Sequence, residues 1–292
     1  MQSDKMLCID KSKLSKYLKT YGFSDLDKIV SALYNNNKYT NTIKRTMWKE
    51  QCCINFPLLY ICSIYLYIYA KEKKCKKILF VTRDCCHWYK IFRMIFPDRE
   101  CYYFDASRNM LEKATYNKHN EYNIYVKSII DKPEECIFVD IHGTGKRIFN
   151  YFFERYNKVP YYFLLSSTYL NMSDFPSISY RYKNKCVVLT FDIRGSPVEM
   201  LNYDLIGTLQ DYKKGKPIRD NLEYDYDLIE IYHNTIDEVL KYIKPLNIDT
   251  KRHKYSYKNL RSLIKKLISP IANNKPIISK YINHIGKHLK NK

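Results

Sequence analysis

The amino-acid sequence predicts an α/β protein with a doubly wound, mostly parallel β-sheet and helical segments at both ends of the chain. Between residues 76 and 191, short apolar runs typical of buried strands alternate with stretches in which apolar residues recur at helical spacing. Parallel strands need a crossover connection, usually a helix, so this alternation favours a parallel sheet. Polar and charged residues follow the predicted strands, at the edge where the ligands of such sheets bind.

The chain is strongly basic, with 50 lysines and arginines against 30 aspartates and glutamates, and a formal net charge of +20 over 292 residues. This charge favours anionic partners: nucleic acid, phosphorylated metabolites or an anionic membrane surface. Ten cysteines without a Cys-x-x-Cys pair indicate reduced thiols, and the first residues lack the apolar core of a signal peptide. We therefore expect a cytoplasmic protein. With 30 tyrosines and 7 glycines, the composition is typical of an AT-rich genome, such as that of a virus, a parasite or a low-GC bacterium. A viral protein would lie in the host cytoplasm or the virion.

One uncharged segment, residues 52–70, is nineteen residues long and has the length to span a bilayer. It contains Asn55, Pro57, Ser63 and four tyrosines, a residue type that belongs at membrane interfaces rather than at mid-span. We therefore expect a buried central helix here rather than a membrane span.

The stretch from Cys136 to Arg147 combines a strand, a glycine loop and the start of a helix. An apolar run at 136–139 ends at Asp140, residues 142–145 form a tight loop, and apolar residues then recur at helical spacing. Such a loop directs free backbone N–H groups and the positive end of a helix dipole at one point, which makes an anion site. The phosphate-binding residues expected in this stretch are Gly143, Thr144, Gly145, Lys146 and Arg147.

Two earlier predicted strands also end in charged residues. Arg83 and Asp84 follow the apolar run 78–81, and Arg108 follows the run 101–104. Because the carboxyl ends of parallel strands meet at one edge of a sheet, we expect both arginines to bind phosphate in the same crevice. Asp84 and Asp140 are candidate catalytic residues and candidate ligands of Mg²⁺, which prefers carboxylate oxygens. His142 is the histidine whose position suits catalysis.

The chain is expected to comprise a helical segment at 1–50, an α/β phosphate-binding domain at 51–220 and a helical, strongly basic region at 221–292. Residues 250–292 contain twelve lysines and arginines and no acid. Apolar residues recur at helical spacing between 260 and 268, with basic residues on the other side. Such a helix is suited to nucleic acid, an anionic membrane or an acidic partner. The alternative is a terminal helix that packs on the domain and exposes its basic face.

Three blocks, residues 56–84, 107–109 and 139–145, resemble the C-terminal domain of bacterial predicted hydrolases of the haloacid dehalogenase (HAD) superfamily, which are often associated with surface-polysaccharide genes. The corresponding turns of that family read Ser-Arg-Asp-Gly, Ser-Arg-Arg and Val-Asp-Ile-Gly-Trp-Ser-Gly-Thr. Cys85 stands here where the family has the glycine after Arg-Asp. The N-terminal phosphatase half, with its Asp-x-Asp signature, is missing, so the resemblance does not imply the activity of that half.

The same blocks are similar to the plan of the phosphoribosyltransferases, which have a Rossmann-like sheet. In those enzymes an acidic strand end followed by Thr-Gly-x-Thr holds the ribose hydroxyls and 5′-phosphate of phosphoribosyl pyrophosphate, and an earlier loop binds pyrophosphate and magnesium. The resemblance implies Asp140 for the ribose or metal, the loop 143–147 for the 5′-phosphate, and Arg83 and Asp84 for pyrophosphate. One acid stands where the family has two, and Arg147 replaces the final threonine. These departures bear on catalysis more than on phosphate binding.

The stretch that contains Asp140, His142, Gly143 and Thr144 also resembles the phosphatase signature Asp-x-Asp-Gly-Thr. It implies a hydrolase in which Asp140 attacks phosphorus and His142 serves as general acid. The histidine and the mid-chain position depart from that signature. The sequence thus predicts a protein that binds a phosphorylated sugar or nucleotide with Mg²⁺, either a phosphoribosyltransferase-like enzyme or a degenerate transferase. The alternatives are a nucleic-acid-binding protein that uses residues 250–292 and a HAD-like phosphatase.

Overall fold

A five-stranded parallel β-sheet lies at the centre of the computed structural model, which describes residues 10–116, 120–193, 196–222, 226–248 and 255–272. The strands of this sheet are β1 (Lys77–Val81), β2 (Cys101–Phe104), β3 (Cys136–His142), β4 (Tyr161–Ser166) and β5 (Cys186–Thr190). Their order is β2-β1-β3-β4-β5, and every neighbouring pair is parallel. The predicted α/β fold class with a mostly parallel sheet is therefore confirmed.

Helices cover both faces of the sheet. One face is covered by α1 (Lys11–Thr20), α2 (Ser24–Asn35), α3 (Thr42–Glu50), α4 (Phe56–Glu72), α5 (Cys86–Ile95), α10 (Ser196–Leu201), α11 (Tyr226–Leu240) and α12 (Tyr257–Ala272). The other face is covered by α6 (Arg108–Tyr116), α7 (Asn120–Ile129), α8 (Lys146–Tyr156) and α9 (Ser177–Arg181). The strands are nearly continuous apolar runs because both of their faces are buried.

Alternation along the strands assigns side chains to the two cores. In β1, Ile78 and Phe80 belong to the core with α4 and α5, whereas Leu79 belongs to the core with α6 to α8. In β3, Val139 belongs to the core with α4 and α5, and Phe138 belongs to the core with α6 to α8. Successive strand residues point to opposite faces, so each strand contributes to both cores.

A single long helix runs through the larger core. A π-helical turn, Gln51–Asn55, joins α3 to α4, so that helical structure is continuous over Thr42–Glu72. The most apolar 18 residues of this helix are wholly buried inside the protein, although its length and composition would suit a membrane span. The ring of Tyr67 stacks on Phe96 with 4.0 Å between centroids. This arrangement is the buried central helix that the sequence predicts.

The helical segments at the two ends of the chain share the larger core with the sheet. The apolar face of α12 is fully covered and consists of Leu260, Leu263, Ile264, Leu267 and Ile268. The helices α1 to α3 contribute Leu14, Leu33 and Trp48 to the same core. The division at residues 50 and 220 stays a prediction, and residues 1–9, 223–225, 249–254 and 273–292 of the predicted terminal regions lie outside the described residues.

A hairpin of β6 (Leu209–Lys213) and β7 (Lys216–Arg219) covers the carboxyl end of β2. The hydroxyl of Ser107 donates to the carbonyl of Leu209 at 2.6 Å. Asp105, the first residue after β2, forms an ion pair with Arg219 of the hairpin. These contacts place residues 207–220 beside the strand ends where the candidate site lies.

Candidate functional site

The pairing between β1 and β3 stops just before Asp140, near the carboxyl ends of both strands. Paired residues of the two strands extend as far as Phe80 opposite Val139, whereas β3 stays paired with β4 through His142 opposite Ser166. The sequence suggests that β3 ends at residue 139. In the structure β3 continues to His142, because its hydrogen-bonded pairing with β4 extends that far. The order of the strands reverses between β1 and β3, and open α/β sheets bind ligands at such a point.

Both carboxylate oxygens of Asp140 accept hydrogen bonds. The backbone N–H of Ile141 donates to Oδ1 at 2.8 Å, and the hydroxyl of Tyr162 donates to Oδ2 at 2.6 Å. Tyr162 lies in β4 and is itself buried. The two bonds fix the orientation of the carboxylate at the open strand end.

Burial raises the pKa of Asp140 from 3.8 to about 6. The hydrogen bond from Tyr162 lowers this pKa, and the negative charge of Asp84 raises it. The interaction with Asp84 shows that the predicted carboxylates on two separate strand-end loops lie near enough to repel each other. A cation between or beside them would relieve that repulsion.

The turn from β3 into α8 requires glycine at position 145. Gly145 precedes α8 with a φ of +72°, in the left-handed region that glycine tolerates best. A β-carbon there would lie 2.9 Å from Cδ1 of Tyr162 and 3.0 Å from Cε2 of Phe149. The backbone N–H of Lys146 lies 3.4 Å from Oγ1 of Thr144, and no other side chain of the described residues caps this helix. The first turn of α8 thus presents N–H groups at the loop that carries Gly143 and Thr144.

Arg83 crosses from the end of β1 to the segment that precedes β6. Its Nη1 donates to Oγ1 of Thr208 at 3.2 Å, and its guanidinium lies 5.2 Å from the ring centre of Tyr203. The peptide bond between Thr82 and Arg83 is cis. Nε of Arg83 lies 3.7 Å from Oδ1 of Asp84, and both side chains are mostly covered. Arg83 and Asp84 are thus held in place at the carboxyl end of β1, the strand that pairs with β3.

Other predicted residues lie at the margin of this group. The Nη2 atom of Arg147 is 3.0 Å from Oε2 of Glu112 on α6, so Arg147 forms an ion pair with that helix. Arg108 and Lys146 are exposed first residues of α6 and α8. Nδ1 of His142 lies 3.3 Å from Oγ of Ser166. We define the strand-end crevice as loop 82–84, Asp140 and the 143–146 loop.

A second charged recess lies at the opposite, amino-terminal edge of the sheet. It is lined by Lys76, Lys77, Glu100, Asp131, Lys132, Glu135 and Cys136. Its lysines are paired: Lys76 with Glu135 at 2.7 Å, and Lys77 with Asp131 at 3.2 Å. The charges of this recess are matched within the protein, whereas the strand-end crevice brings two carboxylates together.

Three residues that contact the crevice cannot be singled out from the sequence. Tyr162 lies inside an apolar strand, and Tyr203 and Thr208 lie 120 or more residues after Arg83. Their roles depend on strand pairing and on the path of the segment between α10 and β6. Alternation along β4 could indicate which face Tyr162 occupies, but not its bond to Asp140.

Comparison with known proteins adds no family assignment, because no protein-family model and no curated protein matches the chain. The fold and the geometry of the crevice are therefore the basis for its function.

Proposed function

We propose that the protein binds a phosphorylated sugar or nucleotide of the phosphoribosyl type in the strand-end crevice, together with Mg²⁺. One observation carries the proposal: the loop at 82–84 and the stretch 140–146 come from adjacent parallel strands on either side of the point where the strand order reverses. A sugar phosphate has hydroxyls that suit a carboxylate and a phosphate that suits backbone N–H groups and an arginine.

The residues of the crevice suit each part of such a ligand. Asp140, held by Tyr162 and Ile141, would accept hydrogen bonds from ribose hydroxyls or bind the metal. The first turn of α8 would receive the 5′-phosphate. Arg83, fixed by Thr208 and Tyr203, would bind a pyrophosphate or second phosphate. This assignment follows the phosphoribosyltransferase-type arrangement to which the sequence is similar.

Magnesium fits the chemistry of the crevice. Mg²⁺ prefers carboxylate and phosphate oxygens and keeps several waters, so one or two carboxylates suffice on the protein side. Asp84 and Asp140 are close enough for the charge of one to raise the pKa of the other. Bound there, the ion would neutralise carboxylate and phosphate charge.

The hydrolase alternative has less support from the geometry. The phosphatase signature has an aspartate as general acid two residues after the nucleophile, whereas this chain has His142 at that place. Nδ1 of His142 is directed at Ser166 of β4, at 3.3 Å. The histidine in place of the second aspartate, and its contact with β4, favour a carboxylate that holds a ligand over one that attacks phosphorus.

Calorimetric titration tests the proposal. Phosphoribosyl pyrophosphate and ribose 5-phosphate are titrated into the wild type with magnesium and with a chelator, and into Asp140→Asn and Asp131→Asn. Asp131 is a matched control, since it is an exposed carboxylate of the opposite recess. We expect magnesium-dependent binding that falls at least about tenfold, or 1.4 kcal/mol, in Asp140→Asn and is unchanged in Asp131→Asn. A folded wild type that binds neither compound would overturn the proposal.

The basic face of α12 supports a second candidate, binding of nucleic acid. Lys258, Arg261 and Lys265 are exposed on the side of the helix opposite its buried apolar face. Exposed cations on one helix face attract phosphate backbones without regard to sequence. This function would use a surface separate from the crevice, so the two can be tested apart.

A further inference from the structure

Cys86, His87 and His233 meet in the interior, in a group that we call the Cys-His cluster. Among the residues that the structure describes, these three offer metal-binding atoms that all lie within 4.8 Å of one another, and all three are buried. Cys86 and His87 begin α5, whereas His233 lies on α11. The two imidazole rings have centroids 4.5 Å apart. The cluster thus joins two helices that are distant in sequence.

His87 lacks the partners that a buried imidazole needs. Its side chain is completely covered, and neither ring nitrogen has a hydrogen-bond partner within the described part of the chain. Burying polar atoms without partners costs stability, so such atoms in a native structure call for an explanation. A metal ion among Cys86, His87 and His233 would give one of the two ring nitrogens of His87 a partner.

The contact that His233 makes with a backbone carbonyl also suits a metal ligand. Nε2 of His233 lies 3.0 Å from the carbonyl of Tyr203, and an N–H donated there leaves Nδ1 with a free lone pair. Metal-binding histidines commonly donate their second N–H to a backbone carbonyl in this way. The thiol of Cys86 donates a hydrogen bond to the carbonyl of Asn202 at 3.0 Å, and this bond would be given up when the sulfur binds a metal. Its thiol would release its proton to solvent when the sulfur binds a metal.

We propose that Cys86, His87 and His233 bind one divalent ion of the zinc class, through one thiolate and two neutral imidazoles. Zinc accepts this mixture of sulfur and nitrogen in a tetrahedral site, whereas Mg²⁺ requires oxygen ligands. The three residues leave the fourth position of a tetrahedral site to water or another ligand. The ion is therefore different from the magnesium of the crevice.

The ion would stabilise the structure that holds Arg83. The carbonyls of Asn202 and Tyr203 contact Cys86 and His233, and the ring of Tyr203 lies under the guanidinium of Arg83. Zinc in the Cys-His cluster would thus tie α5, α11 and the segment after α10 together. This role is structural and does not depend on what the crevice binds.

Metal content and cobalt spectroscopy test the proposal. Chelator-treated protein is titrated with Zn²⁺ and, separately, with Co²⁺, for the wild type, Cys86→Ser, His87→Phe and the control Cys85→Ser. Cys85 is a buried neighbouring thiol outside the cluster. We expect one zinc per chain in the wild type and Cys85→Ser, and a near-ultraviolet thiolate-to-cobalt band. Both signals should be lost in Cys86→Ser and His87→Phe.

Thermal unfolding guards against variants that fail to fold. His87→Phe keeps a ring of similar size and removes the unpartnered nitrogens, so it should melt no lower than metal-free wild type. Zinc should raise the melting temperature of the wild type and leave that of His87→Phe unchanged. Absence of zinc binding by folded wild type, or equal binding by all four proteins, would overturn the assignment.

Discussion

The hydroxyl of Tyr162 donates a 2.6 Å hydrogen bond to Oδ2 of Asp140, and so joins β4 to the candidate carboxylate of β3. This bond stabilises the ionised carboxylate and opposes the effect of burial, which raises its pKa to about 6. Tyr162 also packs against the position that a side chain at residue 145 would occupy. Tyr162 thus lowers the pKa of Asp140 and also limits the space for a side chain at residue 145.

Replacing Tyr162 by phenylalanine should raise the pKa of Asp140 above its wild-type value, because it removes a hydrogen bond to the charged form. The measurement is a carbon NMR titration of aspartate carboxyl groups, with the Asp140 signal identified by its absence in Asp140→Asn. Tyr182→Phe is the control, since Tyr182 packs on Phe149 and not on Asp140. An unchanged or lowered pKa in Tyr162→Phe would contradict the account.

Asp140→Asn should be more stable than the wild type at pH 7.5. The folded pKa of Asp140, about 6, exceeds the unfolded value of 3.8, so its contribution to stability is present below 3.8 and lost as the pH rises through 6. The difference should be about 1–3 kcal/mol at pH 7.5 and should vanish near pH 4. Urea unfolding at several pH values measures it, with Asp131→Asn as a control that gains nothing. A loss of stability that is equal at all pH values would show that burial does not strain the ionised carboxylate.

Gly145→Ala should destabilise the protein more than Gly215→Ala. Both glycines have positive φ, +72° and +71°, but only at Gly145 would the new methyl meet neighbouring rings. We expect a cost of about 2–4 kcal/mol at Gly145 and about 1 kcal/mol at Gly215, since only the first combines backbone strain with overpacking. Chemical unfolding measures the loss of stability in both variants. Equal losses would mean that the rings of Tyr162 and Phe149 move aside to accommodate the new methyl group.

Arg83→Lys should weaken binding of a pyrophosphate-containing ligand while keeping the positive charge. Lysine cannot reproduce the planar contact with Tyr203 and the bond to Thr208 that hold the guanidinium. We expect affinity for phosphoribosyl pyrophosphate with magnesium to fall about tenfold. Arg93→Lys is the control, because Arg93 also lies over a tyrosine ring, that of Tyr89, but on α5. Equal affinities in all three proteins would remove Arg83 from the binding site.

The nucleic-acid candidate is tested in two parts. Replacing Lys258, Arg261 and Lys265 of α12 by glutamine should lower the salt slope of binding, and a second variant ends the chain after Ala272. Truncation at residue 250 would also remove the buried face of α12, which includes Leu263 and Leu267, and would damage the core. Residues 273–292 contain five lysines. If they bind single-stranded DNA or RNA, their loss should lower the salt slope of binding by up to about 3.5, because each phosphate contact contributes roughly 0.7. Crevice binding should be unchanged, and an unaltered salt slope would exclude this part of the tail.

The local pattern of apolar residues in the sequence is sufficient to predict the strands of the sheet and several of its helices. The apolar runs that became β1 to β5, and the helical spacing that became α4, α5 and α8, are visible in the sequence because both faces of the sheet are buried. Over residues 109–130 a polar surface pattern obscures the two helices α6 and α7. The end of β3 was misplaced because it depends on pairing with β4.

Contacts between distant residues could not be predicted. Sequence spacing indicates no metal ligands at Cys86, His87 and His233, yet the packing of α11 on α5 brings them together. The pairing of Arg147 with Glu112 likewise depends on how α8 lies beside α6. The candidate crevice could be anticipated because its residues follow two strands that are neighbours in a parallel sheet.

The central claim is that Asp84 and Asp140 act together on one magnesium-bound ligand, and a double-mutant cycle tests it most directly. Calorimetry would compare the affinity for phosphoribosyl pyrophosphate with magnesium in the wild type, Asp84→Asn, Asp140→Asn and the double variant. We expect each single variant to lose about tenfold or more, and the double variant to lose little beyond either, because residues that share one ligand are not additive. Losses that add in full, or no loss in any variant, would contradict the claim.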